Sequence, residues 1–207
     1  VPAPAPLSAL QPEAERHWKK ADPVMHRLSK ANPLPAEQAI PGDDGFAALV
    51  TSIVHQQVSL AAGRTITANL VKTLGGKVTP RRVLNRDALE LRQAGLSRAK
   101  AAYILDLAQR TQSKEVDFAA FSAMADDAVA DSLVAVKGIG VWTAKMFLMF
   151  HLQRPDVLAP EDLGLRLAVA NTYGVAPEDA AAFMREQGPA WSPYCSVAAR
   201  VLWQSRR

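Results

Sequence analysis

Two short stretches carry residue types that can do chemistry. Lys137-Gly138-Ile139-Gly140 lies between two apolar runs, and Pro160-Glu161-Asp162 follows about twenty residues after Gly140. The first can grip an anion with backbone alone. Glycine enters conformations closed to other residues and lets a group approach the chain closely. N–H groups at the start of a following helix point outward at such a group. An anion held in this way is positioned, not read for sequence. Ile139 then plugs inward and holds the flanking helices together. The same residues also make an ordinary tight turn in a helical core, and both readings stand on the residues alone. The second stretch puts two carboxylates at a helix start. Pro followed by acids commonly complements the helix dipole. The sharper reading is a carboxylate facing a reacting centre, where it stabilises a developing cation or orients water.

The elements that must position these residues read as helices almost throughout. Residues 12–33 give two short helices split by Pro23. Residues 43–59 open with acids and carry Phe46, Leu49, Val50, Ile53 and Val54 at helical spacing. Residues 59–76 form a second helix stopped by Gly75-Gly76. Thr79-Pro80 and Asp87 start two short helices, and residues 97–113 make an amphipathic one. Residues 129–136 and Val141 to Phe150 flank the hairpin, and residues 161–174, 177–188 and 192–206 finish the chain. Alternation of the strand type is scarce, so the expectation is an all-α protein of about ten to twelve helices. By spacing, Phe147 and Phe150 belong to the core, and Trp18, Trp191 and Tyr194 read as packing. The Pro-rich start "VPAPAP" reads as an extended leader or a disordered tail.

Composition narrows the classes. The chain has 207 residues, 49% of them apolar, without a run long enough for a membrane span. The single cysteine, Cys195, excludes an internal disulfide framework and any four-cysteine zinc or iron–sulfur site, and it suits a reducing cytoplasm. His17, His26 and His151 have no metal-ligand spacing. The net charge is +4, but Lys77 to Lys114 alone holds nine Lys/Arg against three acids. Such a concentration is what a polyanion-binding face needs, and Arg-rich solvated helix faces give the same pattern.

Helix, Gly–apolar–Gly hairpin and helix form a helix–hairpin–helix motif. Gly138-Ile139-Gly140-Val141-Trp142-Thr143-Ala144, a spacer, then Pro160-Glu161-Asp162 resemble the helix–hairpin–helix DNA glycosylases, specifically the 3-methyladenine DNA glycosylase II branch. "SIVHQQVSLAAGRTI", "LRQAGLSRAKAAYILDLA" and "WSPYCSVAARVLW" resemble further segments of that family. The resemblance covers roughly Gly45 to Trp203.

The resemblance implies roles residue by residue. Asp162 stands at the catalytic aspartate, with Glu161 as its acidic neighbour. Trp142 and Trp203 match pocket tryptophans, while Met146 and Leu163 replace tyrosines of that branch, so the pocket is less aromatic. Gln57 stands at an apolar wedge that fills the gap left by a flipped base; a polar side chain there can still fill space. His55 and Ser59 flank it, and His55 reads equally as a DNA contact or a helix-surface residue. Lys137 replaces the usual proline before the hairpin and adds a cation beside the phosphate anchor of Gly138, Ile139 and Gly140. In branches that cut the backbone a lysine lies two residues after the second hairpin glycine; here that residue is Trp142. No cofactor is implied. Side chains supply no metal site, and a monovalent cation at the hairpin backbone is the one metal the resemblance allows. With so few residues before Gly45, the N-terminal β domain of larger bacterial members is expected to be missing.

The expectation is a two-lobed all-α bundle. Residues 1–44 with 155–207 form one lobe and residues 45–154 the other, with an active-site cleft between the lobes, Trp142 and Asp162 on opposite walls. The expected protein is a monofunctional base-excision glycosylase for alkylated bases of the 3-methyladenine and 7-methylguanine class. It would flip the base from double-stranded DNA, act as a monomer, avoid membranes and reside in the cytoplasm, at the nucleoid if bacterial. The alternatives are a glycosylase for oxidised, deaminated or mismatched bases, and a non-catalytic duplex-binding module.

Overall fold

A computed structural model describes residues 6–36 and 44–206. The Pro-rich leader up to residue 5 and Asp43 of the expected acidic helix start lie outside the described residues. Among the described residues there are twelve α-helices and no strand, as the periodicity predicts. The chain divides into two compact units, Val1–Pro41 with Leu148–Arg207, and Gly42–Phe147.

The continuous unit holds α3 (Gly45–His55), α4 (Leu60–Thr73), α5 (Pro80–Leu84), α6 (Ala88–Gln93), α7 (Arg98–Gln112), α8 (Asp126–Val134) and α9 (Val141–Met146). Five of these seven helices start at capping residues the sequence offers, while α8 and α9 start without a side-chain cap. The side chains of Asp44, Ser59, Thr79, Asp87 and Ser97 each accept a first-turn N–H, and Asp87 with Glu90 completes a reciprocal capping box. Helix α7 is the centre of this unit. It packs on α3, α5 and α6 and buries Ala101, Ile104, Leu107 and Ala108. The stripe Phe46, Leu49, Val50, Ile53 and Val54 of α3 is buried as its spacing requires. Phe118, Phe121 and Phe147 form a ring cluster with centroids 5.3–6.1 Å apart.

The other unit joins both ends of the chain: α1 (Gln11–Ala21), α2 (Pro23–Ala31), α10 (Leu163–Tyr173), α11 (Ala180–Trp191) and α12 (Cys195–Gln204). Trp18 and Trp191 are fully buried, in line with their reading as packing residues. Asp22 caps α2 and is buried in the same core. Its Oδ1 accepts from the Val24 and Met25 N–H groups at 3.0 Å each. Its Oδ2 accepts from Tyr173 Oη at 2.6 Å, Gln187 Nε2 at 2.9 Å and Trp191 Nε1 at 2.9 Å. Burial by itself works against the Asp22 charge, and these five donors outweigh it, so its pKa falls below the usual carboxylate value. Burial, helped by the Asp22 partnership, raises the Tyr173 pKa far above its ordinary value.

Several boundaries differ from expectation: α3 ends at His55 and not at Ser59, and α8 spans Asp126–Val134 and not residues 129–136. Helix α11 does not stop at Gly188 but runs through Pro189 to Trp191. Proline sits in its last turn, where its missing N–H forfeits one helical bond. The helix after the hairpin does not continue as α-helix to Phe150: α9 ends at Met146 and a π-helical turn spans Phe147–His151. A π turn inserts one residue into the helical register. Phe147, Leu148 and Met149 remain buried while Phe150 is 38% exposed, which corrects its expected place in the core.

Candidate active site

In the hairpin the two glycines differ in kind. Gly138 has φ +80°, and a Cβ there would lie 2.1 Å from the Tyr103 ring of α7. Both conformation and space demand glycine. Gly140 has φ −97° and ψ 173°, a backbone any residue adopts, and a Cβ there would meet nothing within 4 Å. The fold leaves open space at Gly140, beside the first N–H groups of α9, which have no intrahelical partner. Ile139 is buried, as an inward plug requires. The Lys137 side chain is 71% exposed, with its ammonium 3.8 Å from Asp106, and Asp106 also accepts the Lys137 N–H at 2.9 Å.

Around the turn from α3 to α4, Ser59 caps α4, its Oγ accepting the Ala62 N–H at 3.2 Å. Gln57 is exposed with φ +54°. The His55 ring lies against Gly63 of α4, where a Cβ would come within 2.6 Å of Nδ1, and Thr67 Oγ1 is 3.5 Å from Nε2. Of the expected pocket residues in this unit, Trp142 is 45% exposed and Met146 half-buried, one turn apart on α9.

The nine cations of residues 77–114 do not act as one group. Arg82 caps the end of α4 through the carbonyls of Leu74 and Gly75. Arg86 pairs with Glu90, and Arg110 with Asp106 and Glu115. Lys100 Nζ donates to the carbonyls of Val54 and Gln56 at 2.7 Å each. Lys77, Arg81, Arg92, Arg98 and Lys114 are exposed and carry the positive surface of the stretch.

In the other unit the carboxylate and one tryptophan converge. Asp162 is the N-cap of α10: its Oδ1 accepts the Leu165 N–H at 2.7 Å and Trp203 Nε1 from α12 at 3.0 Å. Gly164 leaves the room for this meeting, since a Cβ there would lie 3.0 Å from Asp162 Oδ1 and 3.2 Å from Trp203 Nε1. Two donors on one oxygen fix the orientation of the half-buried carboxylate. Glu161 and Leu163 on either side are exposed. The Trp203 ring stacks on Phe150 at 5.6 Å and 24°, and the Arg200 guanidinium lies 5.7 Å from the centre of the Phe150 ring. Leu34, Pro35, Phe150, Arg200, Trp203 and Gln204 line a pocket of about 250 Å³.

Sequence reasoning thus named Asp162 and Trp203 but missed three companions. Spacing assigned Phe150 to the core, from which the π turn removes it, and nothing in spacing singled out Arg200. A glycine in the first turn of a helix, two residues after an acid, was the available signal for Gly164.

The model of HhH-GPD superfamily base excision DNA repair proteins matches residues 50–193. A DNA-3-methyladenine glycosylase of Saccharomyces cerevisiae is 34% identical over 185 residues, covering 83% of this chain and 62% of that protein. A putative DNA-3-methyladenine glycosylase of Bacillus subtilis is 29% identical over 164 residues, 76% of this chain and 57% of that protein. The chain therefore spans about three fifths of these two relatives. Among solved structures, a DNA-3-methyladenine glycosidase from Bacillus halodurans superposes with a TM-score of 0.82 at 32% identity, covering 93% of this chain and 88% of that one. A Schizosaccharomyces pombe 3-methyladenine DNA glycosylase in complex with abasic DNA shares the fold, with a TM-score of 0.77, 23% identity and coverage of 92% and 95%. Among the described residues no helix is long and apolar enough to cross a membrane.

Proposed function

The chain belongs to the HhH-GPD superfamily of base excision DNA repair proteins, and from that premise we propose that it is a monofunctional DNA glycosylase that releases alkylated bases from duplex DNA. The observation that carries the reading is the Asp162 carboxylate, held by the Leu165 N–H and the Trp203 indole beside an aromatic-walled pocket. Relatives named above are called 3-methyladenine glycosylases, and the substrates proposed for this chain are bases of the 3-methyladenine and 7-methylguanine class.

The chemistry suits these residues. A base alkylated on a ring nitrogen carries positive charge and leaves without a general acid. The C1′–N bond breaks, its electron pair neutralises the base, and the sugar is left as an oxocarbenium-like cation. The Asp162 carboxylate stabilises that cation and orients the water whose oxygen bonds to C1′; that water then gives up a proton to solvent. Trp142 and Trp203 offer faces that attract a cationic base. The base must first leave the stack, which costs least where damage has weakened its pairing. Gly138, Ile139 and Gly140 anchor the backbone of the flipped nucleotide, with Lys137 adding charge, and Gln57 fills the gap in the duplex. One chain supplies every one of these groups, so a monomer suffices.

Methylated duplex DNA incubated with the protein tests this directly. Chromatography should find free methylated bases, with an intact abasic strand left behind. Trp142 in place of a lysine predicts that borohydride traps no covalent complex. Binding without base release, or an efficient trapped adduct, would overturn the reading.

A further inference from the structure

The turn between α3 and α4 is held from two sides. Lys100 reaches it from α7, and its ammonium bonds the carbonyls of Val54 and Gln56 at 2.7 Å each. Carbonyls at a helix end have no partner within the helix, and a cation is favoured there. Partial burial draws the Lys100 pKa below that of an ordinary lysine. Gln56 then sends its Nε2 to the Gly138 carbonyl at 2.9 Å. The next residue, Gln57, has φ +54°, a region that non-glycine residues rarely enter. From Gln57 to Leu60 the chain is exposed, including the apolar side chains of Val58 and Leu60. A strained, exposed tip that leaves directly from an anchored residue is a presented element, because such backbone persists only where its surroundings over-determine it.

We propose that Lys100 and Gln56 form a brace that fixes the Gln57–Leu60 tip to the glycine hairpin, so that seating a phosphate at the hairpin sets where Gln57 enters the duplex. This rests on the reading of the chain as a DNA glycosylase. Lys100 is then a positioning residue, not one of the phosphate contacts that its place in the basic stretch suggests.

A duplex carrying a tetrahydrofuran abasic analogue opposite 2-aminopurine reads the tip without any chemistry. Insertion of Gln57 displaces the orphaned base and changes its fluorescence. Lys100→Met should bind this duplex within about threefold of wild type, because phosphate contacts elsewhere dominate affinity. It should nevertheless lose most of the fluorescence change. On a methylated duplex its single-turnover rate should fall about tenfold or more, as for a group displaced near the chemistry. Lys100→Arg keeps a cationic donor and should restore both signals. Gln56→Ala, at an exposed hydrogen bond, should move them in the same direction without threatening the fold. A full fluorescence change in Lys100→Met and Gln56→Ala would overturn the brace. So would a parallel fall of affinity, signal and melting temperature that Lys100→Arg does not reverse. Wild-type protein that changes the fluorescence but releases no base would refute the glycosylase reading and leave the brace standing.

Discussion

Asp22 and Asp162 are built alike and left in different surroundings. Each is the N-cap of a helix, each accepts from its own first turn (two N–H groups at Asp22, one at Asp162), and each takes the indole N–H of a tryptophan. Asp22 is buried with five donors on its two oxygens. Asp162 is half-buried, its Oδ1 fixed by two donors, beside a Trp203 ring that lines a pocket. The difference teaches that capping and an indole partner orient a carboxylate, while surroundings decide its use. Sealed in a core it becomes a structural knot; left at a pocket edge it can face a substrate.

Substitutions should separate the two. The largest expected loss of stability belongs to Asp22→Asn, about 3 kcal/mol by denaturant unfolding, because charge-assisted hydrogen bonds in the core are weakened together. Its acid response has a definite sign. The folded pKa of Asp22 lies below its unfolded value, so the stability it contributes is complete above the ordinary carboxylate pKa and drains away as pH falls through the folded value. Thermal melts between neutral pH and about pH 3 should steepen in wild type below about pH 4 and flatten in Asp22→Asn. Gly138→Ala should cost about 1–3 kcal/mol, since it forces a side chain into left-handed backbone against Tyr103. Gly140→Ala should leave stability within about 0.5 kcal/mol. It should still weaken duplex affinity about tenfold, the size of one charge-assisted hydrogen bond, in a binding titration. Trp203→Phe keeps a ring against Phe150 but removes the donor to Asp162, and should slow single-turnover base release about five- to tenfold with little change in melting. Smallest of all, Glu161→Gln should cost only about 0.3–1 kcal/mol as a helix-start acid, and its base release should stay close to wild type.

Much of this was legible in the sequence for a physical reason: helices, caps and hairpin are local. The stripe from Phe46 to Val54, the capping residues and Gly138-Ile139-Gly140 declare themselves within a few positions of one another. The Asp162 corner does not. Trp203 meets its carboxylate across forty-one residues of chain, and no spacing encodes that contact. Phe150 reads as core because periodicity assumes a uniform helix, and a single π turn reverses its exposure. Lys100 reads as one more cation of a basic stretch, yet tertiary packing turns it onto backbone carbonyls. Charge counts report where cations lie in the chain, not which of them the fold consumes.

The central claim is that the Asp162 carboxylate drives cleavage of the glycosidic bond, and Asp162→Asn tests it most directly. Single-turnover release of methylated bases should be measured at saturating protein, with melting temperature and duplex affinity determined on the same preparation. Asparagine keeps the size and still caps a helix, so fold and affinity should stay close to wild type. The rate should fall by two to three orders of magnitude, about 3–4 kcal/mol of lost electrostatic stabilisation. Wild-type turnover in a folded, DNA-binding Asp162→Asn would contradict the account and reduce the Pro160–Asp162 segment to a helix cap.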